Sequence, residues 1–234
     1  MDAVSYQTLE RTDLTERTYQ VLKRRILRRE LQPGDKIAVE EIASRLGVSR
    51  SPVVTALQQL ANDGLVEIVP QRGTFVTELT TQDVADLFDI RLMIEEYAAR
   101  LVIGKGYAHR FLERTRDVMV AMDQATAGEE YTDYEAFINR DHELHLTLIE
   151  LTGNQHLVRM YNDLNVHIHV ARAHYLNSVE NAREAQTEHQ AIIRAFERSS
   201  ANGNADDAVA AIRSHVLNVR ERLLRILEQR GGRL

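Results

Sequence analysis

The sequence predicts a mainly α-helical protein in two parts: three short helices and a β-hairpin in residues 1–79, then an all-helical bundle of six to seven helices in residues 80–234. Two observations support this division. The three prolines all lie before residue 71, whereas long tracts of apolar residues at helical spacing follow residue 80. Because proline is the residue that most strongly interrupts a helix, the second part can form long helices.

The first part begins with two helical patterns. Apolar residues recur at helical spacing from Tyr19 to Ile26, and Asp13 is the expected N-cap of this first helix. A proline-glycine turn separates it from the second pattern, VEEIASRLG. We expect the second helix to end at Gly47, because glycine readily adopts the left-handed backbone of a helix C-terminus.

A third helix and a β-hairpin complete the first part. Ser49 is the expected N-cap of the helix, and the β-branched runs LVEIV and GTFVT, joined by a short turn, predict two strands. Three short helices followed by a hairpin are typical of a winged helix-turn-helix, whose third helix lies in the major groove of DNA. The sequence therefore predicts a double-stranded DNA partner.

The polar start of the third helix suits DNA contacts. A helix N-terminus offers unpaired backbone N–H groups, to which Ser49 and Ser51 add hydroxyls and Arg50 adds a forked donor for a phosphate or a guanine. The hairpin turn places Arg72 at its tip, and Gly73 permits close approach to a sugar-phosphate strand. Serine-capped helices are also common in proteins that bind no DNA, so the pattern alone leaves that alternative open.

The composition limits the class of protein. The chain has no cysteine, which excludes disulfides, thiolate metal sites and a cysteine nucleophile. The N-terminus shows no secretory signal pattern, and no run approaches the roughly 18 apolar residues of a membrane span. We therefore expect a cytoplasmic protein without a membrane partner.

Charge is distributed unevenly along the chain. The net charge is −6, but residues 1–79 hold 11 basic and 11 acidic residues, whereas residues 80–234 hold 18 and 24. The stretch from Arg17 to Arg29 carries six basic residues and no acidic one. Such a stretch is usually a solvated helix face, although it can add contacts to a DNA backbone.

Residues 31–76 contain the blocks LGVSRSPV, ALQQLANDGLV and RGTFV, in that order. In order and spacing, these blocks resemble the DNA-binding domain of GntR-type bacterial transcriptional regulators. Val54 and Thr55 stand where the family usually has arginine and glutamate, and that arginine commonly contacts DNA. We expect Thr55 to take over a contact. The candidate DNA-binding residues are Ser49, Arg50, Ser51, Thr55, Arg72, Gly73 and Thr74.

Four side chains of the second part suit a metal ion. Asp141 and His145 share one face of a helix at i, i+4 spacing, and two further apolar helical stretches carry His189 and His215. Three imidazoles and one carboxylate can hold Zn²⁺, Ni²⁺ or Mn²⁺ with coordination positions left open, and these mixed ligands do not select one metal. Histidines with only a structural role are the alternative that the spacing leaves open.

The second part contains three further motifs: IRLMIEEYAARL at its start, an Asp-x-x-x-His helix followed by TGN, and EHQAII with a histidine on the last helix. In these motifs it is similar to the FCD type of helical ligand-binding domain, found in the FadR branch of the GntR superfamily. It implies a divalent metal site with a small carboxylate metabolite at the open coordination positions. The implied metal ligands are Asp141, His145, His189 and His215. An arginine fork suits a carboxylate, and the candidate ligand-binding residues are Arg91, Asn165 and Arg172.

Together these features predict a dimeric transcriptional regulator and not an enzyme. We expect it to bind a partly palindromic operator, to repress transcription there, and to be controlled by a small organic acid. Two copies are expected because one recognition helix covers only a few base pairs. The helix that holds Leu87, Ile94 and Leu101 is the candidate dimer surface. Two alternatives remain: a metal-dependent hydrolase with an appended nucleic-acid-binding module, and a DNA-binding protein whose helical part only dimerises.

Overall fold

The computed structural model describes residues 11–28, 30–128, 134–175 and 178–229. The secondary structure is mainly helical with one small sheet, which confirms the predicted fold class. The chain forms two compact units, the first ending at Glu78 and the second beginning at Leu79. No described helix combines the length and the apolar character that crossing a membrane requires.

Within the described residues, the first unit contains three helices and a three-stranded sheet. In chain order they are α1 (Arg11–Leu27), β1 (Lys36–Ile37), α2 (Val39–Leu46), α3 (Arg50–Asn62), β2 (Val66–Val69) and β3 (Gly73–Val76). The strands are antiparallel in the order β1-β3-β2, so β1 adds one strand to the predicted hairpin. This is the winged helix-turn-helix arrangement that the sequence predicts.

Apolar side chains of α1 and α3 form the centre of this unit. Leu22 and Ile26 of α1 are fully buried, as is Leu60 of α3, and the two helices pack against each other. The predicted end of α2 is confirmed, because Gly47 has a left-handed backbone there. The predicted N-cap at Asp13 is wrong, because α1 already includes this residue and the short capping pattern also occurs inside helices.

The second unit is a bundle of six helices within the described residues. They are α4 (Thr81–Gly104), α5 (Ala108–Thr126), α6 (Tyr134–Glu150), α7 (Gln155–Tyr175), α8 (Val179–Asn202) and α9 (Asp206–Gln229). α4 packs on α6, α7 and α9, and α8 packs on α5 and α9. Aromatic rings fill part of the core, and the ring centroids of Phe111 and Phe196 are 4.3 Å apart.

α4 is fixed at its start and carries a buried charged pair further along. Thr80 and Asp83 form a capping box, in which the side chain of each accepts a hydrogen bond from the backbone N–H of the other. Arg91 and Glu95, more than two turns into the helix, are almost completely buried. Charged side chains are rarely buried unless they are paired, so this pair indicates a polar site inside the bundle.

Candidate metal centre and DNA-contacting surface

Three helices of the bundle bring four candidate metal ligands together. Asp141 and His145 lie one turn apart on α6, His189 lies on α8, and His215 lies on α9. All four are buried, and each offers one ligand atom within 4.8 Å of the others. We call these four residues the His-Asp cluster.

A hydrogen bond at the Nδ1 atom orients each imidazole of the His-Asp cluster. The pairs are His145 Nδ1 with Glu95 Oε2 at 2.8 Å, His215 Nδ1 with Glu188 Oε2 at 2.8 Å, and His189 Nδ1 with Gln186 Oε1 at 3.2 Å. Because a carboxylate or amide oxygen can only accept, each Nδ1 donates its proton and each Nε2 keeps its lone pair. Such partners fix the tautomer and the ring orientation of metal-binding histidines.

Whether a metal ion fits this cluster can be judged from the hydrogen bonding of the three Nε2 atoms. All three are buried and make no hydrogen bond within the described part of the chain. His189 Nε2 lies 3.2 Å from Asp141 Oδ1, although outside hydrogen-bond geometry. A buried polar atom without a partner is costly, and a cation would satisfy all three at once. Three nitrogens and one carboxylate oxygen therefore fit a divalent metal ion.

The protonation states also suit a cation. Burial lowers the pKa of His145 and of His215, against the raising effect of the carboxylates that they contact. Both rings are therefore neutral near pH 7 and keep the lone pair that a metal ion needs. Burial alone would raise the pKa of Glu95, but Arg91 and His145 outweigh it and hold that pKa well below its usual range.

Arg91 approaches the same buried region with one donor left over. Its Nε donates to Glu95 Oε1 at 2.6 Å, and the Tyr161 hydroxyl donates to the same oxygen at 2.9 Å. Arg91 Nη1 is buried and has no hydrogen-bond partner among the described residues. An unsatisfied guanidinium donor in a buried site is suited to an anion such as a carboxylate.

The other candidate ligand-binding residues lie on α7. Asn165 is half-buried, and its side chain lies close to the His142 ring. That ring lies parallel to the Tyr161 ring, with centroids 6.0 Å apart, and its Nδ1 atom is buried without a hydrogen-bond partner in the described structure. The side chain of Arg172 lies outside the described residues. His142 is thus a further polar group that a bound molecule could satisfy.

Gln186, Glu188 and His142 are polar residues of this region that the sequence predictions missed. Gln186 precedes His189 by one helical turn, so the i, i+3 spacing could have found it. Glu188 and His142 show no such local signal, because the rings that they contact lie on other helices.

The polar start of α3 lies at the surface of the first unit. The Arg50 side chain is 70% exposed and its Nη2 atom pairs with Glu40 Oε1 at 2.9 Å. Exposed ion pairs contribute little to stability, so Arg50 can exchange this partner for a phosphate or a base. Ser49 is the N-cap as predicted, but its side chain makes no capping hydrogen bond. Ser51 and Thr55 are exposed on the same turn, and the Thr55 hydroxyl donates to Ser51 O at 3.1 Å.

Basic side chains gather at the hairpin of β2 and β3. Gln71 takes a left-handed backbone in the turn, with φ of 62°, and Arg72 is exposed beside it. The Phe75 ring lies 6.0 Å from the Arg72 guanidinium carbon and 5.9 Å from Lys36 Nζ. Lys36 belongs to β1, which the sequence patterns do not predict, and it adds a second cation to this surface.

The surroundings of Gly73 and Thr74 in the hairpin lie largely within their own unit. A Cβ on Gly73 would lie 2.9 Å from Lys36 Cε, so the glycine makes room for the Lys36 side chain of its own unit. Thr74 is only 8% exposed, which leaves its side chain little surface for a DNA contact.

Two family models match the chain. The model of the FCD domain matches residues 86–218, and the model of bacterial regulatory proteins of the gntR family matches residues 14–76. The first range lies in the helical bundle and contains all four residues of the His-Asp cluster. The second range covers α2, α3 and the hairpin.

Similar proteins are named as regulators. An uncharacterized HTH-type transcriptional regulator, YdhC of Bacillus subtilis, is 27% identical over 211 residues, which cover 90% of this chain and 91% of that protein. A probable D-xylose utilization operon transcriptional repressor of Paenarthrobacter nicotinovorans is 28% identical, with coverage of 92% and 91%. The crystal structure of a putative transcriptional regulator GntR from a Rhodococcus species has a TM-score of 0.71 at 21% identity, covering 90% of this chain and 97% of that one. At this low sequence identity, the last similarity is evidence for the fold alone.

Proposed function

Since the chain belongs to the GntR family of bacterial transcriptional regulators and carries an FCD domain, we propose that it is a repressor controlled by a small carboxylate bound beside a metal ion. Two copies bind a partly palindromic operator, and the carboxylate weakens that binding. Relatives named as transcriptional repressors support the sign of this control. The observation that carries the proposal is the set of three buried Nε2 atoms that have no hydrogen-bond partner among the described residues.

The metal ion would be held by the His-Asp cluster. Its ligands would be Asp141, His145, His189 and His215. When bound, a divalent ion with open coordination positions attracts and orients a carboxylate oxygen. The hydrogen bonds at the three Nδ1 atoms fix the orientation in which the rings would bind the metal ion. Zn²⁺, Ni²⁺ and Mn²⁺ all accept nitrogen and oxygen ligands, so this donor set is compatible with each of them.

The chain's own polar groups would hold the carboxylate. Burial acts to lower the pKa of Arg91, but Glu95 outweighs it, so Arg91 stays charged and its Nη1 can donate to a carboxylate oxygen. Asn165 and Arg172 on α7 are the further contacts in this proposal. Because the site is buried, these interactions compete with little water and are strong.

The start of α3 and the hairpin would contact DNA. We assign base and phosphate contacts in the major groove to Ser49, Arg50, Ser51 and Thr55, and backbone contacts to Lys36, Arg72 and Gly73. Thr74 is left out because its side chain is buried. Val54, 42% exposed on α3, adds an apolar surface of the kind that contacts a thymine methyl group.

The relatives are named transcriptional regulators, which supports a regulator and not the hydrolase alternative. The geometry around the His-Asp cluster agrees with this. Glu188 accepts hydrogen bonds from His215 at 2.8 Å and from Arg222 at 2.7 Å, so its carboxylate is occupied and cannot readily act as a general base.

Replacing Arg91 by lysine is expected to weaken carboxylate binding at least about tenfold and to leave the metal content unchanged. Lysine keeps the positive charge beside Glu95, but it lacks the further nitrogen, Nη1, that would donate to the carboxylate. The measurement is calorimetric titration of acetate, succinate and citrate into the metal-loaded protein. Arg114→Lys is the matched control, since Arg114 pairs with Glu150 at the surface.

Two results would contradict the carboxylate site. If Arg91→Lys binds the acids as tightly as the wild type does, Arg91 does not contact the carboxylate. Failure of all three acids to bind the metal-loaded wild type would favour the alternative in which the helical unit only dimerises.

A further inference from the structure

His189 differs from the other two imidazoles of the His-Asp cluster in the partner of its Nδ1 atom. The other two rings each face a glutamate carboxylate, whereas His189 faces the side-chain amide of Gln186. Both oxygens of a carboxylate accept, but an amide has an accepting oxygen at one end and a donating NH₂ group at the other. The tautomer of His189 therefore depends on which end of Gln186 is turned toward it.

Two acceptors on α5 decide the orientation of this amide. Gln186 is 3% exposed, and its Nε2 atom lies 2.8 Å from Asp123 Oδ1 and 3.4 Å from the backbone oxygen of Met119. Both of these oxygens only accept, so the NH₂ group faces α5 and Oε1 faces His189 Nδ1 at 3.2 Å. Turning the amide round would set its oxygen against a carboxylate oxygen and a carbonyl oxygen. Inside the bundle that repulsion is poorly screened.

The opposite tautomer of His189 competes with metal binding. The Nε2 atom of this ring lies 3.2 Å from Asp141 Oδ1. A proton on Nε2 would let the ring donate to that carboxylate after a small rotation. Two metal ligands would then satisfy each other, and a metal ion would have to displace the proton before it could bind His189. Holding the proton on Nδ1 excludes this state.

We propose that Asp123 and Gln186 act as a positioning relay, which holds His189 in the tautomer that binds the metal ion. This inference rests on the proposed metal site and adds two residues that lie outside its ligand set. Asp123 is exposed on α5, and its carboxylate accepts hydrogen bonds from Gln186 and Gln190. A carboxylate at the surface of the bundle thus contributes to the metal affinity of a buried site.

Gln190 separates the relay from simple packing of α5 on α8. Its Nε2 atom donates to the same Asp123 oxygen at 3.0 Å, so it joins the two helices as Gln186 does. Among the described residues, Gln186 is the hydrogen-bond partner of His189 Nδ1, and Gln190 is not. Gln190 is therefore the matched control for Gln186.

The metal affinity of three variants tests the relay. Gln186→Met removes the amide at similar size, Asp123→Ala releases the amide, and Gln190→Met is the control. Zn²⁺ affinity is measured on the intact chain by competition with a chromophoric chelator. We expect Gln186→Met to weaken binding about 10- to 100-fold and Asp123→Ala at least about threefold, with Gln190→Met within about twofold of the wild type. Equal affinity of Gln186→Met and Gln190→Met would overturn the relay.

The position of the proton can be observed directly in the metal-free protein. Long-range nitrogen-proton NMR spectra of protein labelled at its histidines distinguish the two ring nitrogens, and the His189 signal is identified by its absence in His189→Ala. We expect the proton on Nδ1 in the wild type and in Gln190→Met, and on Nε2 in Gln186→Met. A simple tie between α5 and α8 would leave the tautomer unchanged. The same tautomer in all three proteins would therefore overturn the relay.

An exchange of the two side chains tests the relay by rescue. Combining Gln186→Glu with Asp123→Asn moves the carboxylate next to His189 and keeps the net charge. The asparagine NH₂ group can donate to the glutamate, whose other oxygen accepts from His189 Nδ1. We expect a Zn²⁺ affinity within about threefold of the wild type or tighter, since a carboxylate is the stronger acceptor. A double variant as weak as Gln186→Met would overturn the relay.

Failure of the relay and failure of the proposed function give different results. A wild-type chain that binds no Zn²⁺, Ni²⁺ or Mn²⁺ would overturn the proposed metal site together with this inference. A wild-type chain that binds metal, with variants that change neither the affinity nor the His189 tautomer, would overturn the relay and leave the proposed function standing.

Discussion

Replacing His189 and His215 together by alanine is expected to reduce the metal content of the purified protein from about one ion per chain to a trace. Two of the three Nε2 ligands are then lost, and the two remaining ligands, Asp141 and His145, both lie on α6. Two protein ligands are too few for a stable site of this type, in which three or four are usual. Elemental analysis by mass spectrometry gives the stoichiometry.

The control for this variant is the pair His109→Ala and His156→Ala, because both of these histidines are exposed and neither belongs to the His-Asp cluster. That double variant should keep its metal. The helical circular dichroism of both proteins shows whether they are folded. A folded His189→Ala, His215→Ala protein that retains stoichiometric metal would exclude these two residues as ligands.

Replacing Arg50 by alanine is expected to lower operator affinity by at least about tenfold. Tenfold corresponds to about 1.4 kcal/mol, which lies within the about 1 to 3 kcal/mol that one good bidentate arginine-guanine pair contributes, and each of the two copies on the operator loses its Arg50. The operator is first selected from a random duplex library, and affinity is then measured by fluorescence anisotropy at one fixed salt concentration. Salt must be held constant because phosphate contacts make every such affinity depend on it.

Arg198→Ala is the control for the operator measurement, since Arg198 is exposed in the second unit and pairs with Asp207. It removes the same charge from the protein without touching α3, so its affinity should match that of the wild type. An Arg50→Ala protein that binds the operator as tightly as Arg198→Ala would place Arg50 outside the DNA contact.

Most of the fold follows from local sequence signals. The six long helices come from apolar spacing, and the left-handed backbone at Gly47 comes from the preference for glycine at a helix end. β1 could not be predicted in this way. It has only two residues, and it is a strand because Lys36 and Ile37 pair with Phe75 and Thr74 of β3, which are far away in sequence.

The candidate site is likewise predictable only where the signal is local in sequence. The spacing of Asp141 and His145 is visible on one helix, and the resemblance to the FCD domain added His189 and His215. The residues that orient these rings were harder to find, because Glu95 and Glu188 reach histidines 50 and 27 positions away. Exposure was also beyond sequence reasoning at Thr74, where only the register of β3 shows which side chains point inward.

The measurement that tests most directly whether a carboxylate controls DNA binding is a pair of affinities. The operator dissociation constant is determined with and without a saturating amount of whichever of acetate, succinate or citrate binds most tightly, and the dissociation constant of that acid is determined with and without saturating operator. We expect the acid to weaken operator binding by about 5- to 150-fold, and the operator to weaken acid binding by the same factor, since coupling between two sites is reciprocal. An operator affinity that is identical in the presence and absence of a bound acid would contradict control of DNA binding through this site.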